Sequence, residues 1–242
     1  MFKLFGKADE IKTMDIRILH MTEGAKKASG LTVIIDVFRA FSVEAYLFNY
    51  GAEKIIPVGD LETAYKLKKE NPEMLLAGER HGAVLPGFDM PNSPACIIPD
   101  DIKGKTVIHT TSAGTQGIAN AKNADEILGA GLVNAAATAE YIKRSGAEKV
   151  SLVCMGLEAA AKTAEDTLCA EYIKSILIGT TIDMEKGIKD LMHTDGAKFF
   201  DPKQQEVFPE KDFELCTKVD KFDFVMKLYK TQSGLSYMKK EC

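Results

Sequence analysis

The stretch LTVIID at residues 31–36 is a continuous, β-branched apolar run that ends on an acid. A run without polar alternation is typical of a strand that is buried on both faces of a sheet. The segment FSVEAYLFNYGA (residues 41–52) follows and predicts a helix that ends at Gly51, since glycine favours the position just after a helix. A buried strand followed by a helix is the repeating unit of an α/β fold.

The same alternation of short apolar runs and amphipathic segments continues along the chain. Further buried strands are predicted at EKIIPV (53–58), EMLLAG (73–78), KTVIH (105–109) and EKVSLVCMG (148–156). Two other runs, DIRIL (15–19) and FDFVMKLY (222–229), alternate polar and apolar residues, which is typical of half-exposed antiparallel strands. The sequence therefore predicts an α/β fold with a mostly parallel, mixed sheet.

Length and composition indicate a globular protein with one core. The 242 residues are 45% hydrophobic and 27% charged, which is enough to bury a core without disulfides or a structural metal. We expect a single α/β unit over residues 1–242, with a weakly marked boundary near residues 99–104. The net charge of −4 and the lack of a basic stripe argue against nucleic acid as a partner.

The cysteine pattern and the length of the apolar runs indicate the cellular location of the protein. The five cysteines are widely spaced, without a CxxC pair or a zinc-type Cys/His pattern, so we expect reduced thiols in a cytoplasmic protein. No apolar stretch is long enough for a signal peptide or a membrane span. We therefore expect no membrane partner, whereas assembly into a homo-oligomer stays open.

Polar side chains follow four predicted strands at the point where each strand ends. Ligands of open α/β sheets bind outside the carboxyl ends of the strands, so these residues are candidates for a site. They are Asp36 and Arg39; Glu79, Arg80 and His81; His109 with the hydroxyls after it; and Glu158, Glu165 and Asp166. The loop at residues 78–95 is too long for an idle connection, and its Asn92 and Ser93 can offer hydrogen bonds to a substrate.

The segment TTSAGT (110–115) stands between a predicted strand and a helix-like segment. Backbone N–H groups at the start of a helix attract anions, hydroxyls add donors, and small residues allow close approach. We interpret the segment as a phosphate-binding loop, with the alternative of an ordinary helix cap made by one hydroxyl. Its candidate substrate-binding residues are Thr110, Thr111, Ser112, Gly114 and Thr115.

The acids predict a metal site. Asp36, Glu165 and Asp166 offer the oxygen ligands that Mg²⁺ takes, and an acid directly after a buried strand is costly unless it is paired or liganded. The alternative for Glu165 and Asp166 is that they stabilise the first turn of their own helix. Arg39 and Arg80 suit bidentate binding of an anion, with a structural ion pair as the alternative.

Six motifs resemble, in this order, those of the 2-phosphosulfolactate phosphatase family. They are DVFRAFS (36–42), AGERHG (77–82), GFDMPNSP (87–94), TTSAGT (110–115), NAAATA (134–139) and VCMG…AEDTLCA (153–170). The resemblance covers residues 33–178 and says less about the C-terminal third. Where the family pattern resembles TTNGTR, this chain has Ala113 in place of the Asn and Gln116 in place of the Arg.

The resemblance implies a three-layer α/β/α fold and a Mg²⁺-dependent acid phosphatase. Such an enzyme would convert 2-phospho-3-sulfolactate, or a similar 2-phospho-hydroxyacid, to (R)-3-sulfolactate and phosphate, a step of coenzyme M biosynthesis in methanogenic archaea. The candidate catalytic residues are Asp36, Arg39, Glu79 and Arg80, and His81 could act as an acid or as a substrate ligand. Water activated by the metal is the preferred nucleophile, while an aspartyl phosphate on Asp36 stays open.

Two other functions stay open. A non-catalytic protein that binds a small dianion would keep the anion pocket without turnover, and the changes at Ala113 and Gln116 are its support. A thiol-dependent hydrolase would use Cys154 as the nucleophile. The chain lacks both GxxxxGK[ST] and HExxH, which excludes a Walker-type nucleotide site and a zincin-type metalloprotease site.

Overall fold

The structure, a computed structural model, describes residues 14–231 and 234–242. The start of the chain, where no signal peptide is expected, lies largely outside these residues. The strands are β1 (Asp15–His20), β2 (Gly30–Ile35), β3 (Lys54–Pro57), β4 (Leu75–Gly78), β5 (Met90–Pro91), β6 (Thr106–Thr110), β7 (Ala124–Ala130), β8 (Lys149–Cys154), β9 (Val225–Lys230) and β10 (Ser236–Glu241). The α-helices are α1 (Met21–Lys27), α2 (Ala40–Asn49), α3 (Leu61–Glu70), α4 (Pro99–Ile102), α5 (Gly114–Asn120), α6 (Ala135–Ser145), α7 (Ala164–Ile178), α8 (Met184–Leu191) and α9 (Glu210–Cys216).

The strands form one mixed sheet in the order β1-β8-β2-β7-β9-β10-β3-β6-β4-β5. The first four strands of this order are mutually parallel, and so are the last four. The hairpin β9–β10 lies between them and pairs antiparallel within itself and on both sides. The mostly parallel, mixed sheet of a three-layer α/β/α fold is thereby confirmed.

The two parallel groups run in opposite directions, because three successive antiparallel pairings separate them. The pairing that joins the hairpin to each group is short: Leu128–Lys227 and Gly129–Met226 on one side, Met238–Ile55 on the other. Residues that follow strands of both groups nevertheless line one cavity.

The two alternating runs differ in outcome. The second half of FDFVMKLY lies in antiparallel β9, as predicted, whereas Phe222 and Phe224 precede the strand and are buried, like Met226. DIRIL forms β1, which pairs in parallel with β8 at the edge of the sheet, so the prediction of an antiparallel strand is wrong there. Its alternation reflects the partial exposure of an edge strand and carries no information on strand direction.

Helix α2 begins four residues after Asp36, beyond a short turn, and forms the centre of the core. Nine of its ten residues are buried, including Phe41, Tyr46 and Phe48, as expected for a helix that is apolar on all sides. Gly129 of β7 makes room for it, since a Cβ there would lie 2.6 Å from a ring carbon of Phe41. The end of β2 is therefore held on a rigid base. None of the described helices combines the length and apolar character that a membrane crossing requires.

Candidate functional site

A cavity of about 320 Å³ opens where the carboxyl ends of the two parallel groups meet. This volume lies at the lower end of the range for small-molecule sites. The lining residues come from the four strand ends that were predicted to carry polar residues, from the end of β5 and from the C-terminal part of the chain. They are Asp36, Phe38 and Arg39 after β2; Glu79, His81 and Gly82 after β4; Asn92 after β5; Ser112 and Ala113 after β6; Gly156, Leu157, Glu158, Thr163 and Glu165 after β8; and Asp195, Lys198 and Phe208.

Asp36 is buried directly after β2. Its Oδ1 accepts a hydrogen bond from the Ala40 N–H (3.1 Å), whereas its Oδ2 has no hydrogen-bond partner in the described chain. Gly114 makes room for this carboxylate, since a Cβ at Gly114 would lie 2.9 Å from Asp36 Oδ2. Burial and the neighbouring Asp166 carboxylate raise the pKa of Asp36 to about 7.

Asp166 ties the ends of β2 and β8 together from behind the cavity lining. Its Oδ1 accepts the Val37 N–H and its Oδ2 accepts the Gly156 N–H, both at 2.8 Å. Burial and the adjacent Glu165 carboxylate raise the pKa of Asp166. Because the backbone uses both of its oxygens, Asp166 is placed to position the two loops that carry the other acids.

Glu165 lines the cavity from the first turn of α7. Its Oε2 is buried and has no hydrogen-bond partner, which costs free energy unless the group is protonated or holds a cation. Burial is the main cause that raises the pKa of Glu165, and the Asp195 carboxylate adds to it. Glu165 and Asp36 thus both present a carboxylate oxygen that protein donors leave unused.

These two oxygens fit a hard divalent cation. No group of three or more His, Cys, Asp or Glu side chains among residues 14–231 and 234–242 is arranged to hold a metal. Mg²⁺ does not need such a group, since it usually takes one or two carboxylates and completes its shell with water and substrate phosphate. Asp36 and Glu165 match that pattern, whereas Asp166 supports them.

Glu79 holds the loops after β4 and β6 together. Its Oε1 accepts the Ser112 N–H and its Oε2 accepts the Gly82 N–H, both at 2.7 Å, and the Ser112 hydroxyl also donates to Oε2 (3.2 Å). A carboxylate with three protein donors has little capacity left for a metal. Glu79 lines the cavity, and its contacts hold the backbone of the two flanking loops in position.

The TTSAGT loop is largely satisfied by its own hydroxyls. Thr111 and Thr115 are buried and bond each other, since the Thr115 N–H donates to Thr111 Oγ1 (3.2 Å) and the Thr111 N–H donates to Thr115 Oγ1 (3.1 Å). Thr110 is buried as well and accepts a bond from Arg80. Of this loop, Ser112 and Ala113 line the cavity.

The two predicted anion-binding arginines lie in different surroundings. Arg39 lines the cavity but is buried in an ion pair with Asp212, Nη1 to Oδ2 at 2.8 Å, and also donates to the Val207 carbonyl. Arg80 does not line the cavity, and its guanidinium donates to its neighbour Glu79's carbonyl (2.6 Å) and to Thr110 Oγ1 (2.8 Å). Arg39 thus matches the alternative of a structural ion pair, whereas Arg80 forms hydrogen bonds and no ion pair within the described residues.

His81 and Glu158 form an ion pair between the loops after β4 and β8. His81 Nδ1 lies 2.7 Å from Glu158 Oε1, and the imidazole is 80% exposed. The hydrogen bond to Glu158 raises the pKa of His81. Since both residues line the cavity, the pair places the imidazole beside it, with Nε2 left for other contacts.

Asn92 reaches the cavity from a buried polar chain. His109 Nε2 lies 3.2 Å from Asn92 Oδ1, and His109 Nδ1 lies 2.9 Å from Glu44 Oε1, with all three residues buried. An amide whose oxygen accepts from His109 presents its NH₂ group as a donor on the other side. The neighbouring Ser93 instead donates to Asp212 (2.8 Å) and does not line the cavity.

Residues of the C-terminal third, which none of the six motifs includes, also form the cavity. Asp195, Lys198 and Phe208 line the cavity, and Asp212 pairs with Arg39 from α9. No strand end precedes these residues, so the strand-end rule could not find them. The one signal was the aromatic richness around GAKFFD (196–201), which forms a cluster beside the cavity.

Cys154 is poorly placed for nucleophilic attack. The thiol is buried, lies 3.4 Å from the Asp166 carbonyl oxygen, and is not part of the cavity lining. Burial raises the pKa of Cys154, so the thiolate that attack requires is disfavoured. These contacts argue against the thiol-dependent hydrolase.

Comparison with known proteins agrees with the six motifs. A family model described as 2-phosphosulpholactate phosphatase matches residues 18–231. The chain is 36% identical over 211 residues to a protein of Caldanaerobacter subterraneus subsp. tengcongensis named probable 2-phosphosulfolactate phosphatase, covering 81% of this chain and 86% of that protein. Proteins of the same name from Bacillus subtilis (34% over 217 residues; 89% and 94% covered) and Thermoplasma volcanium (31% over 212 residues; 86% and 94% covered) are also similar. The match spans every residue that lines the cavity, and the chain belongs to the 2-phosphosulfolactate phosphatase family.

Proposed function

We propose that the chain hydrolyses 2-phospho-3-sulfolactate, or a similar 2-phospho-hydroxyacid, to (R)-3-sulfolactate and phosphate with Mg²⁺ as its cofactor. Membership of a phosphatase family makes it a hydrolase of phosphoric monoesters. The proposal of a cation at this site rests on one observation. Asp36 and Glu165 both line one small cavity, and each has a carboxylate oxygen without a hydrogen-bond partner among the described residues.

The charge of the cavity supports a cation as cofactor. Five carboxyl groups line it against three basic groups, and of these Arg39 is paired with Asp212 and His81 with Glu158, which leaves Lys198. A phosphoester dianion would be repelled by such a lining. Bound Mg²⁺ would neutralise the phosphoryl oxygens and activate the attacking water, and Asp36 and Glu165 would hold it.

The protein groups beside the cavity would orient the ester. The NH₂ group of Asn92, fixed by His109, would donate to a phosphoryl oxygen, because its own oxygen is occupied. Glu79 holds Ser112 and Gly82 in place, so the two loops that flank the ester keep their spacing. Such fixed donors lower the barrier of phosphoryl transfer mainly by positioning and electrostatics.

His81 would supply the proton that the leaving oxygen needs. Glu158 holds Nδ1, so Nε2–H of the imidazolium is free to donate to the C2 oxygen as its bond to phosphorus breaks. The raised pKa of His81 keeps it protonated in mildly acidic solution, which agrees with an acid phosphatase. The bond that forms is between water oxygen and phosphorus, and the products are a hydroxyacid and inorganic phosphate.

The test measures phosphate release from 2-phosphosulfolactate with Mg²⁺, after chelation, and in Asp36→Asn. We expect turnover only with Mg²⁺ and a loss on the order of 10²-fold in the variant. The asparagine oxygen can still accept the Ala40 N–H, so the fold should persist. Asp60→Asn, which changes an exposed helix cap, is the control. Full activity of chelated protein would refute the cofactor, and binding without turnover would favour the non-catalytic alternative.

A further inference from the structure

We propose that Lys198 determines substrate specificity by binding an anionic group that is not transferred, the sulfonate or the carboxylate of the phospho-hydroxyacid. This inference rests on the proposed function. It adds a recognition residue from the C-terminal third, beyond the six motifs that carry the family resemblance.

The balance of charge leaves Lys198 available to a ligand. Arg39 and Lys198 are the permanently charged basic residues of the cavity lining, and Arg39 is committed to Asp212 and the Val207 carbonyl. Within the part of the chain that the structure describes, no carboxylate lies within salt-bridge distance of Lys198. Among the described residues its ammonium group therefore has no carboxylate in direct contact, and the Glu165 carboxylate acts on it only from beyond salt-bridge distance.

Three aromatic rings hold Lys198 in place. Its Nζ lies 5.9 Å from the ring centre of Phe38, 5.5 Å from that of Phe199 and 5.2 Å from that of Phe208. Ring faces attract an ammonium group without neutralising it, and they leave its three N–H donors for an anion. Phe38 and Phe208 also line the cavity, so the rings direct the ammonium group towards a bound ligand.

The substrate class needs such a second cation. A phospho-hydroxyacid carries a carboxylate, and the sulfo compound a sulfonate, besides the phosphoryl group. A cation held by Asp36 and Glu165 would neutralise the phosphoryl group, and the remaining lining is rich in carboxylates. Without Lys198 the non-transferred anions would face Glu158 and Asp195 with no opposing charge.

The experiment compares Lys198→Met with three substrates: 2-phosphosulfolactate, 2-phospholactate, which lacks the sulfonate, and 2-propyl phosphate, which lacks both acids. Methionine keeps most of the side-chain stem and removes the charge. We expect KM for 2-phosphosulfolactate to rise about 10- to 100-fold, as for a lost charged hydrogen bond, with little change in kcat. KM for 2-propyl phosphate should not change.

The three substrates separate the two acids. A rise in KM for 2-phosphosulfolactate alone assigns the sulfonate to Lys198, and a rise for 2-phospholactate as well assigns the carboxylate. An equal loss of kcat on all three substrates would overturn the proposal, since Lys198 would then act on the phosphoryl group. Unchanged kinetics on all three would overturn it too.

Two controls accompany the variant. Lys221→Met removes another lysine that stands over a ring, 5.5 Å from the centre of Phe222, but outside the cavity lining, and it should leave KM unchanged. Lys198→Arg should restore most of the affinity, which a purely structural role would not predict.

If the wild type proves inactive, the proposed function fails, and the role of Lys198 is then tested by calorimetry of 3-sulfolactate binding. Weaker binding to Lys198→Met than to the wild type would uphold it; equal binding, or none to either, would overturn it.

Discussion

Arg39 Nη1 lies 2.8 Å from Asp212 Oδ2, and both side chains are buried. The pair joins the first turn after β2 to α9, 173 positions further along the chain. Asp212 Oδ1 also accepts bonds from the Ser93 hydroxyl (2.8 Å) and the Ala95 N–H (2.9 Å). One buried carboxylate therefore fastens the C-terminal part of the cavity to two of the motifs that form the rest of it.

Replacing Asp212 with alanine should strongly destabilise the protein. The change leaves a buried guanidinium without its counter-charge, which typically costs about 3–5 kcal/mol of unfolding free energy. Urea denaturation followed by circular dichroism measures this loss. The double variant Arg39→Met/Asp212→Leu should recover much of it, because no buried charge remains unpaired.

Glu214→Gln is the matched control for this prediction. Glu214 lies on the same helix, and its ion pairs with Lys211 and Lys218 are exposed to solvent. Exposed pairs contribute little, so the variant should unfold at the wild-type urea concentration. An Asp212→Ala variant as stable as this control would refute the structural role of the pair.

The buried acids predict an unusual pH dependence of stability without metal. Burial raises the pKa of Asp36 to about 7 and also raises the pKa values of Glu165 and Asp166. These folded-state values exceed the unfolded value of about 4, so the folded state retains protons that the unfolded state releases. Their stabilising contribution is complete below about pH 4 and is lost as the pH rises through about 7.

We therefore expect the Tm of chelated protein to fall between pH 5 and pH 8, as measured by scanning calorimetry. Mg²⁺ should raise Tm more at pH 8 than at pH 5, because ionised carboxylates bind it and protonated ones do not. Asp36→Asn should weaken both the pH dependence of Tm in the chelated protein and the pH dependence of the increase in Tm caused by Mg²⁺. A Tm that rises with pH in the chelated protein would contradict the assignment of these pKa shifts.

The strand-end rule identified much of the site, because it depends only on local sequence. Asp36, Glu79, Ser112 and Glu165 each follow a buried strand within a few residues or begin the next helix, and each lines the cavity. The direction of the strands lay beyond the rule. Within each parallel group the carboxyl ends of the strands lie on the same side of the sheet. Only the antiparallel pairing of the β9–β10 hairpin shows that the strands of the two groups run in opposite directions.

Side-chain partners were harder to predict than positions. Arg39 and Arg80 have the chemistry of anion ligands, but whether a guanidinium meets a substrate or Asp212 depends on contacts across 173 positions. Thr111 and Thr115 look like phosphate donors in sequence, yet the tight turn before α5 uses both hydroxyls for its own backbone. For Lys198 the sequence offered only the aromatic residues next to it, since the rings that surround its ammonium group come together in the folded chain.

The His81–Glu158 pair predicts a shift in the pH profile of kcat. If His81 protonates the leaving oxygen, activity falls on the alkaline side as the imidazolium loses its proton. Glu158→Gln removes the charge that raises the pKa of His81, so this alkaline limb should move to lower pH. His81→Asn should lower kcat by about 10²- to 10⁴-fold. His193→Asn, an exposed histidine outside the cavity, is the control, and an unmoved alkaline limb in Glu158→Gln would exclude the role.

The buried thiol of Cys154 should be dispensable for turnover. It sits at the end of β8 against the Asp166 carbonyl, away from the cavity lining, and burial raises its pKa. Cys154→Ala should therefore keep kcat and KM within about twofold of the wild type, and thiol-alkylating reagents should inactivate neither protein, because a buried, protonated thiol reacts slowly. Phosphate release before and after alkylation measures both points. If a Cys154→Ala variant with the wild-type Tm loses turnover, Cys154 takes part in the reaction, and the proposed mechanism based on the carboxylates is wrong.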